Sequence, residues 1–395
     1  MDASYSQGMN DDAILAQFDA IFGSSGTIHV IRAPGRVNLI GEHTDYNDGF
    51  VFPMAIEPEV RIVCRSRADQ QVRLASTLYP TQVVEFSLQK KITRGDPSWA
   101  NYPRGVAAEL VAAGIPLPGM DMLVSNTLPI GGGLSSSAAL EVGTARAFLK
   151  IAGLEMDENR IALLCQKAEH EYALVPCGIM DQMIVASGRA GHAMMMDCRD
   201  LSKQFIPIDP REVKVVIVNS MVKHELTGGE YAERRSQCEQ GVTFFKRHDP
   251  NVKALRDVTL DQVLAARGVL DDVIWRRCRH VVTENARAVE FARKLSDRFY
   301  EEAGELMVKS HVSLRDDYEV SCDELDFLTD ESLKIKGVYG ARMTGGGFGG
   351  SIVVLAQLRA VEPLTKHLTE VYPAKFGAKP EVFATTATQG ASVVR

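Results

Sequence analysis

Apolar positions along the chain fall into two kinds of period, and they change places often. Residues 11–22 (DDAILAQFDAIF) repeat at helical spacing after an aspartate pair, which predicts an amphipathic helix with an acidic start. Short apolar or alternating runs at 28–31, 60–64 and 81–88 predict strands. A helix is predicted over 99–113, a strand over 121–125, and a helix from 138 to about 149. Asp157 opens another helix, with Ile161, Leu164, Cys165 and Ala168 on one face. Residues 172–183 break the pattern at Pro176 and Gly178. Strands follow at 194–197 and 213–218, a mostly helical stretch runs over 229–312, and strands return at 338–342 and 351–356. A helix at 361–371 and a strand at 381–385 end the series. Helices and strands mix in both halves without regular alternation, so the expected class is α+β rather than a doubly wound parallel sheet.

At 395 residues two domains are expected, and the pattern places their boundary near 205, giving units of 15–205 and 206–395. Forty-four basic against 51 acidic side chains leave a net charge of −7, which argues against a nucleic-acid partner. The seven cysteines include no C-x-x-C pair, so neither a zinc knuckle nor a dithiol redox motif is supported. Residues 1–10 are polar, and no run of about 18 apolar residues occurs, so neither a signal peptide nor a membrane span is expected. The expected location is the cytoplasm.

The densest chemistry lies in Pro129-Ile-Gly-Gly-Gly-Leu-Ser-Ser-Ser-Ala-Ala139, between a predicted strand and a predicted helix. Glycines there let backbone N–H groups face a ligand, and the helix start adds unpaired N–H groups and a positive dipole end. That is an anion cradle, and phosphate is the natural anion. It is not a Walker loop, because no lysine occurs between Lys91 and Lys150. A second cluster, Arg32 to Asp48, packs Arg32, Arg36, Glu42, His43, Asp45 and Asp48 into 17 residues after a strand. A third holds Glu169 near a helix end and Asp181 after a Pro/Gly break; Asp181 reads equally as a site carboxylate or as a cap of the next helix. The tract Gly340 to Gly350 formally contains G-x-G-x-x-G but runs into a predicted strand, so it reads as a turn whose backbone approaches another segment or the phosphates.

Together these segments resemble the GHMP small-molecule kinases, and within them the galactokinases. Gly35 to Gly49 resembles the galactokinase signature, Pro129 to Ala138 the phosphate loop, and Met343 to Gly350 the third motif. Cys177 to Gln182, Tyr231 to Cys238 and Ser313 to Cys322 match as well, so the resemblance runs from about 28 to about 355. It implies an N-terminal domain like ribosomal protein S5 domain 2 and a ferredoxin-like C-terminal domain, with the site between them. It implies transfer of the ATP γ-phosphoryl to the C1 hydroxyl of α-D-galactose, giving galactose 1-phosphate and ADP, the first committed step of galactose catabolism. By the same resemblance Asp181 would be the base and Arg36 its charged partner. Glu42, His43, Asp45, Gly178 and Tyr231 would bind the sugar. Gly131, Gly132, Gly133, Leu134, Ser135, Ser136 and Ser137 would wrap ATP, and Ser137 and Glu169 would hold Mg²⁺. Trp99 and Tyr102 would lie near the adenine or simply pack in the core. Partners would be galactose and ATP, with no nucleic acid and no membrane, in a monomer or weak homo-oligomer. The form Thr44-Asp-Tyr-Asn-Asp-Gly49 favours a plain over an N-acetylated sugar. Ser137, Ala138, Asp181 and Arg36 favour an enzyme over a galactokinase-like sensor.

Overall fold

In the computed structural model, which describes residues 11–129, 131–223 and 229–395, two sheets with their own helices meet at a seam. The first sheet has six strands, in the order Ser392–Val393, Ile28–Asn38, Pro53–Arg67, Gly119–Asn126, Gln71–Ser76 and Tyr79–Ser87. All its pairings are antiparallel except that of Gln71–Ser76 with Gly119–Asn126. Alternation sets its two faces. Ile31, Ala33, Val60, Ile62 and Cys64 point into the main core, where the helices Asn101–Ala112, Ser136–Ala152, Glu158–Ala168 and Met180–Ser187 pack. Val30 and Val63 point the other way, against Ile14, Phe18 and Phe22 of helix Asp11–Phe22.

The second sheet is antiparallel throughout, in the order Val338–Thr344, Gly349–Ala356, Lys214–Lys223, Glu381–Thr385. The helices around it include Gly229–Lys246, Asp272–Ser296, Asp323–Leu333 and Val361–Phe376. A small third sheet joins Phe50–Val51, His192–Asp197 and Lys203–Pro207. The mixture is α+β, as the pattern predicts.

Most predicted elements are present, with longer bounds. The strand expected at 60–64 is Pro53–Arg67, and the one at 28–31 extends to Asn38. Gln71–Ser76 is a strand that the reading of the sequence passes over; its six residues become a strand by pairing on both sides. Asp157 caps its helix, its carboxylate accepting from the backbone N–H of Asn159 and Arg160. Asp181 is not the cap of its helix: that position belongs to Ile179, and Asp181 stands in the first turn.

The seam is polar and buried. Asn38, at the end of the first strand, donates its N–H to Thr344 Oγ1 at 3.1 Å, and its carbonyl accepts from Arg342 Nη1 at 3.1 Å. Arg342 and Asn38 are wholly buried. The hairpin of the second sheet is therefore tied to the strand that carries Arg36.

Candidate active site

The phosphate-loop candidate leaves strand Gly119–Asn126 and enters helix Ser136–Ala152. Gly133 has φ +70°, a conformation that costs a side-chain-bearing residue but not glycine, and its carbonyl accepts from Arg36 Nη1 at 2.6 Å. Ser135 is also left-handed, at φ +60°. The third glycine tract lies directly against this loop. A Cβ on Gly345 would stand 3.1 Å from Gly133 O, and Ser351 donates its hydroxyl to Gly132 O at 2.7 Å. The tract is a hairpin turn between antiparallel strands, as its sequence context predicts. Ile130 lies outside the described residues.

Arg36 and Asp181, 145 residues apart, form a two-point ion pair: Nε to Oδ1 at 2.7 Å and Nη2 to Oδ2 at 2.8 Å. Such fork-on-fork pairing fixes the carboxylate in plane and direction. Ser135 donates its hydroxyl to Asp181 Oδ2. Burial works against the Arg36 charge, but Asp181, Glu42 and Asp45 outweigh it and raise its pKa.

A wall of polar and aromatic groups faces this pair. Glu42 Oε1 accepts from Gly345 N at 2.7 Å and lies 3.1 Å from Thr344 Oγ1 and 3.5 Å from Arg342 Nη1. Behind it Glu284, fully buried, takes the backbone N–H of Gly41 at 2.9 Å and of Glu42 at 3.3 Å. Burial opposes the Glu284 charge, yet Arg287, His280 and Arg342 pull its pKa down to about 2. His43 sits at φ +60°, and its Nδ1 is 2.8 Å from Tyr46 Oη, itself 2.8 Å from Tyr318 Oη. Burial, with neighbouring His280, Arg234 and Arg342, pushes the His43 pKa down to about 3, so the ring is neutral. Tyr231 lies beside it, ring centroids 5.6 Å apart. Asp45 Oδ1 accepts from Tyr46 N at 3.0 Å; burial and then the Asp181 charge push its pKa up to about 7. Gly178 touches Asp45 so closely that a Cβ there would lie 1.7 Å from Oδ2.

At the phosphate-loop end, Glu169 is buried and lines the cavity with Ser137. Its Oε2 accepts from Gln182 Nε2 at 2.5 Å and from the Cys177 thiol at 3.2 Å. Burial raises its pKa. Trp99 stacks on Tyr79 with centroids 6.4 Å apart, away from this group.

One cavity of about 470 Å³ collects these residues. Arg36, Glu42, His43, Asp45, Gly131, Gly133, Leu134, Ser135, Ser136, Ser137, Glu169, Gly178, Asp181 and Tyr231 all line it. Gly132 does not; its carbonyl turns to Ser351 instead. Gly345 and Gly346 add a wall from the second sheet's hairpin. Glu284, Arg342, Glu141 and Gln182, which the reading of the sequence does not single out as site residues, stand immediately behind the lining. Their one sequence signal is a charged or amide side chain at an apolar position of a helix or strand.

The galactokinase galactose-binding signature matches residues 16–66, the GHMP kinase N-terminal domain matches 101–189, and the GHMP kinase C-terminal domain matches 288–374. Galactokinases of Chloroflexus aurantiacus and Chloroflexus aggregans are each 44% identical over 381 residues, covering 96% of this chain and 97% of theirs. The crystal structure of Lactococcus lactis galactokinase complexed with galactose superposes with a TM-score of 0.93 at 32% identity, covering 96% of this chain and 99% of that one. Methanococcus jannaschii mevalonate kinase shares the fold at a TM-score of 0.63 and 20% identity, with 93% and 100% of the two chains covered. With its signature, both kinase domains and near full-length relatives in agreement, the chain belongs to the galactokinase family of the GHMP kinases.

Proposed function

We propose that the chain transfers the γ-phosphoryl group of ATP to the C1 hydroxyl of α-D-galactose, with the residues of the cavity in the following roles. The observation that carries the reading is the Arg36–Asp181 pair, set between an anion cradle and a wall of hydrogen-bonding side chains in one cavity. Asp181 accepts the hydroxyl proton. The sugar oxygen forms the new bond to phosphorus, the bond from phosphorus to the β–γ bridging oxygen breaks, and ADP leaves. Phosphoryl transfer asks the protein mainly for alignment and charge stabilisation. Amides of the 131–137 loop and the start of helix Ser136–Ala152 supply both, with Arg36 at the reacting end. Glu42, His43, Asp45, the Gly178 backbone and Tyr231 read the sugar hydroxyls.

The lining also fits a divalent cation. It carries four carboxylates, Glu42, Asp45, Glu169 and Asp181, against one arginine, so a polyphosphate entering it needs added positive charge. Ser137 and Glu169 both line the cavity at the phosphate end and offer oxygen ligands. Mg²⁺ takes such a sparse protein set and completes its shell with phosphates and water. When bound it neutralises phosphate charge. Among the described residues no helix is long and apolar enough to cross a membrane, and the kinase is proposed to act in the cytoplasm. The net charge of −7 argues against a nucleic-acid partner and leaves galactose and ATP as the proposed partners.

The test is ATP-dependent turnover across galactose, glucose and N-acetylgalactosamine. Galactose should lead by at least tenfold in kcat/KM, because an epimer that leaves a buried acceptor unpaired loses about 1–3 kcal/mol per group. Equal turnover of glucose would reject the sugar assignment, and ATP binding without turnover of any sugar would make the chain a sensor.

A further inference from the structure

We infer that Gln182 and Glu141 are positioning residues that aim the Glu169 carboxylate at the cation–phosphate position, an inference that rests on the kinase reading above. Three helices bring the group together. Glu141 stands four residues after Ser137 on helix Ser136–Ala152, so it lies on the same face, one turn deeper. Gln182 follows Asp181 on helix Met180–Ser187, and Glu169 follows the end of helix Glu158–Ala168. The Gln182 amide nitrogen donates to Glu169 Oε2 at 2.5 Å and to Glu141 Oε2 at 3.0 Å. Both of its N–H groups are thereby committed, one to each carboxylate, which fixes the plane of the amide.

Two further observations make this more than an acidic cluster. Glu141 and Gln182 are both wholly buried, and neither lines the cavity. Glu141 Oε1 and Gln182 Oε1 have no hydrogen-bond partner. A buried polar oxygen without a partner costs free energy, and a fold keeps such groups where they serve an arrangement. Here the arrangement holds one oxygen of Glu169. With Oε2 occupied by Gln182 and the Cys177 thiol, the carboxylate is left with its other oxygen to offer the cavity that Glu169 and Ser137 both line. Glu141 acts from behind: it takes the second N–H of the amide, so the first cannot swing off Glu169. Its part is that of an acceptor, not of a cation ligand.

The inference makes the oxygen of residue 141 matter and its charge not. Mn²⁺ binding to the full-length protein with ADP, followed by the electron paramagnetic resonance signal of free Mn²⁺, reads the cation position without turnover. Gln182→Met should weaken Mn²⁺ by tenfold or more, comparable with Glu169→Gln. Glu141→Leu should do the same, and Glu141→Gln, which keeps an acceptor oxygen, should stay within about twofold of wild type. The thermal shift produced by galactose alone, without nucleotide or metal, should persist in all of them, which shows that each variant is folded. Wild-type Mn²⁺ affinity in Gln182→Met overturns the inference. So does a Glu141→Gln defect as large as that of Glu141→Leu, since the carboxylate charge would then be what counts. A loss of the galactose shift in Gln182→Met and Glu141→Leu with Mn²⁺ binding intact also overturns it, as it would place the pair in the sugar site. Failure of the kinase reading looks different: the wild type itself would turn over no sugar, while the order of Mn²⁺ affinities among the variants would still hold.

Discussion

Replacing Asp45 by asparagine should stabilise the empty protein at alkaline pH while crippling its grip on the sugar. The Asp45 carboxylate accepts from Tyr46 N at 3.0 Å, is wedged against Gly178, and shares the cavity with Asp181. Burial first, and the Asp181 charge second, displace its pKa from 3.8 to about 7. A displacement of that size corresponds to at most about 4 kcal/mol. The side chain is only partly buried and borders an open cavity, so solvent screening reduces this to about 1–2 kcal/mol. The sign follows from proton binding. Below about pH 4 the group is protonated in folded and unfolded chains alike and costs nothing. Between pH 4 and 7 the unfolded chain gives up the proton while the folded one keeps it, so stability falls as pH rises, and above pH 7 the full penalty is present. Asp45→Asn cannot ionise and escapes the penalty. Urea unfolding should therefore find the variant more stable than wild type by about 1–2 kcal/mol at pH 8 and equal to it near pH 4. Galactose titrated calorimetrically without ATP should bind wild type more tightly as pH passes through 7, because an ionised carboxylate is the stronger acceptor for sugar hydroxyls. The variant should bind weakly and without pH dependence. A variant less stable than wild type at pH 8, or a wild-type affinity that is flat between pH 6 and 8, would refute the reasoning.

Asp181→Ala should lower kcat by about 10²–10⁴ in a folded protein, the range a positioned base supplies; a soluble variant that keeps a tenth of wild-type kcat removes Asp181 from that role. Gly178→Ala should raise KM for galactose by more than tenfold with little change in KM for ATP, because its methyl group would stand 1.7 Å from Asp45 Oδ2 and must displace that carboxylate; equal changes in both constants would contradict it. Asp121, almost wholly buried, receives Arg65, Arg67 and Arg73, with Arg65 also closing the end of helix Asp11–Phe22 through the Phe22 and Gly23 carbonyls. Asp121→Ala leaves buried positive charge unanswered and should cost about 3–5 kcal/mol in urea unfolding, with kcat unchanged at 25 °C.

What the sequence discloses is the part of the site made by chain-local chemistry. Gly131 to Ser137 are contiguous, and a glycine loop before a helix carries its meaning in its own backbone. Glu42, His43 and Asp45 are dense enough to stand out from ordinary surface charge. The distances between clusters are not local: nothing in residues 32–48 alone says that Arg36 meets Asp181, or that Ser392–Val393 returns to pair with Ile31 and Arg32. Short strands are equally non-local, since Gln71–Ser76 exists only because two neighbours take its hydrogen bonds. The second tier of the site is different, because it does leave a trace. Helix Asp272–Ser296 buries Ile274, Cys278, Val281, Ala288 and Phe291, and Glu284 interrupts that apolar stripe. A buried carboxylate must be answered, and Glu284 is answered by Arg287 on its own helix and, from other elements, by Ser310 and the Gly41 and Glu42 amides. Glu141 interrupts the buried face of helix Ser136–Ala152 in the same way, and its answer is the Gln182 amide. A charged residue on an apolar stripe therefore marks where a helix reaches across to another element. The reaches of Glu284 and Glu141 end within one residue of the lining of the cavity.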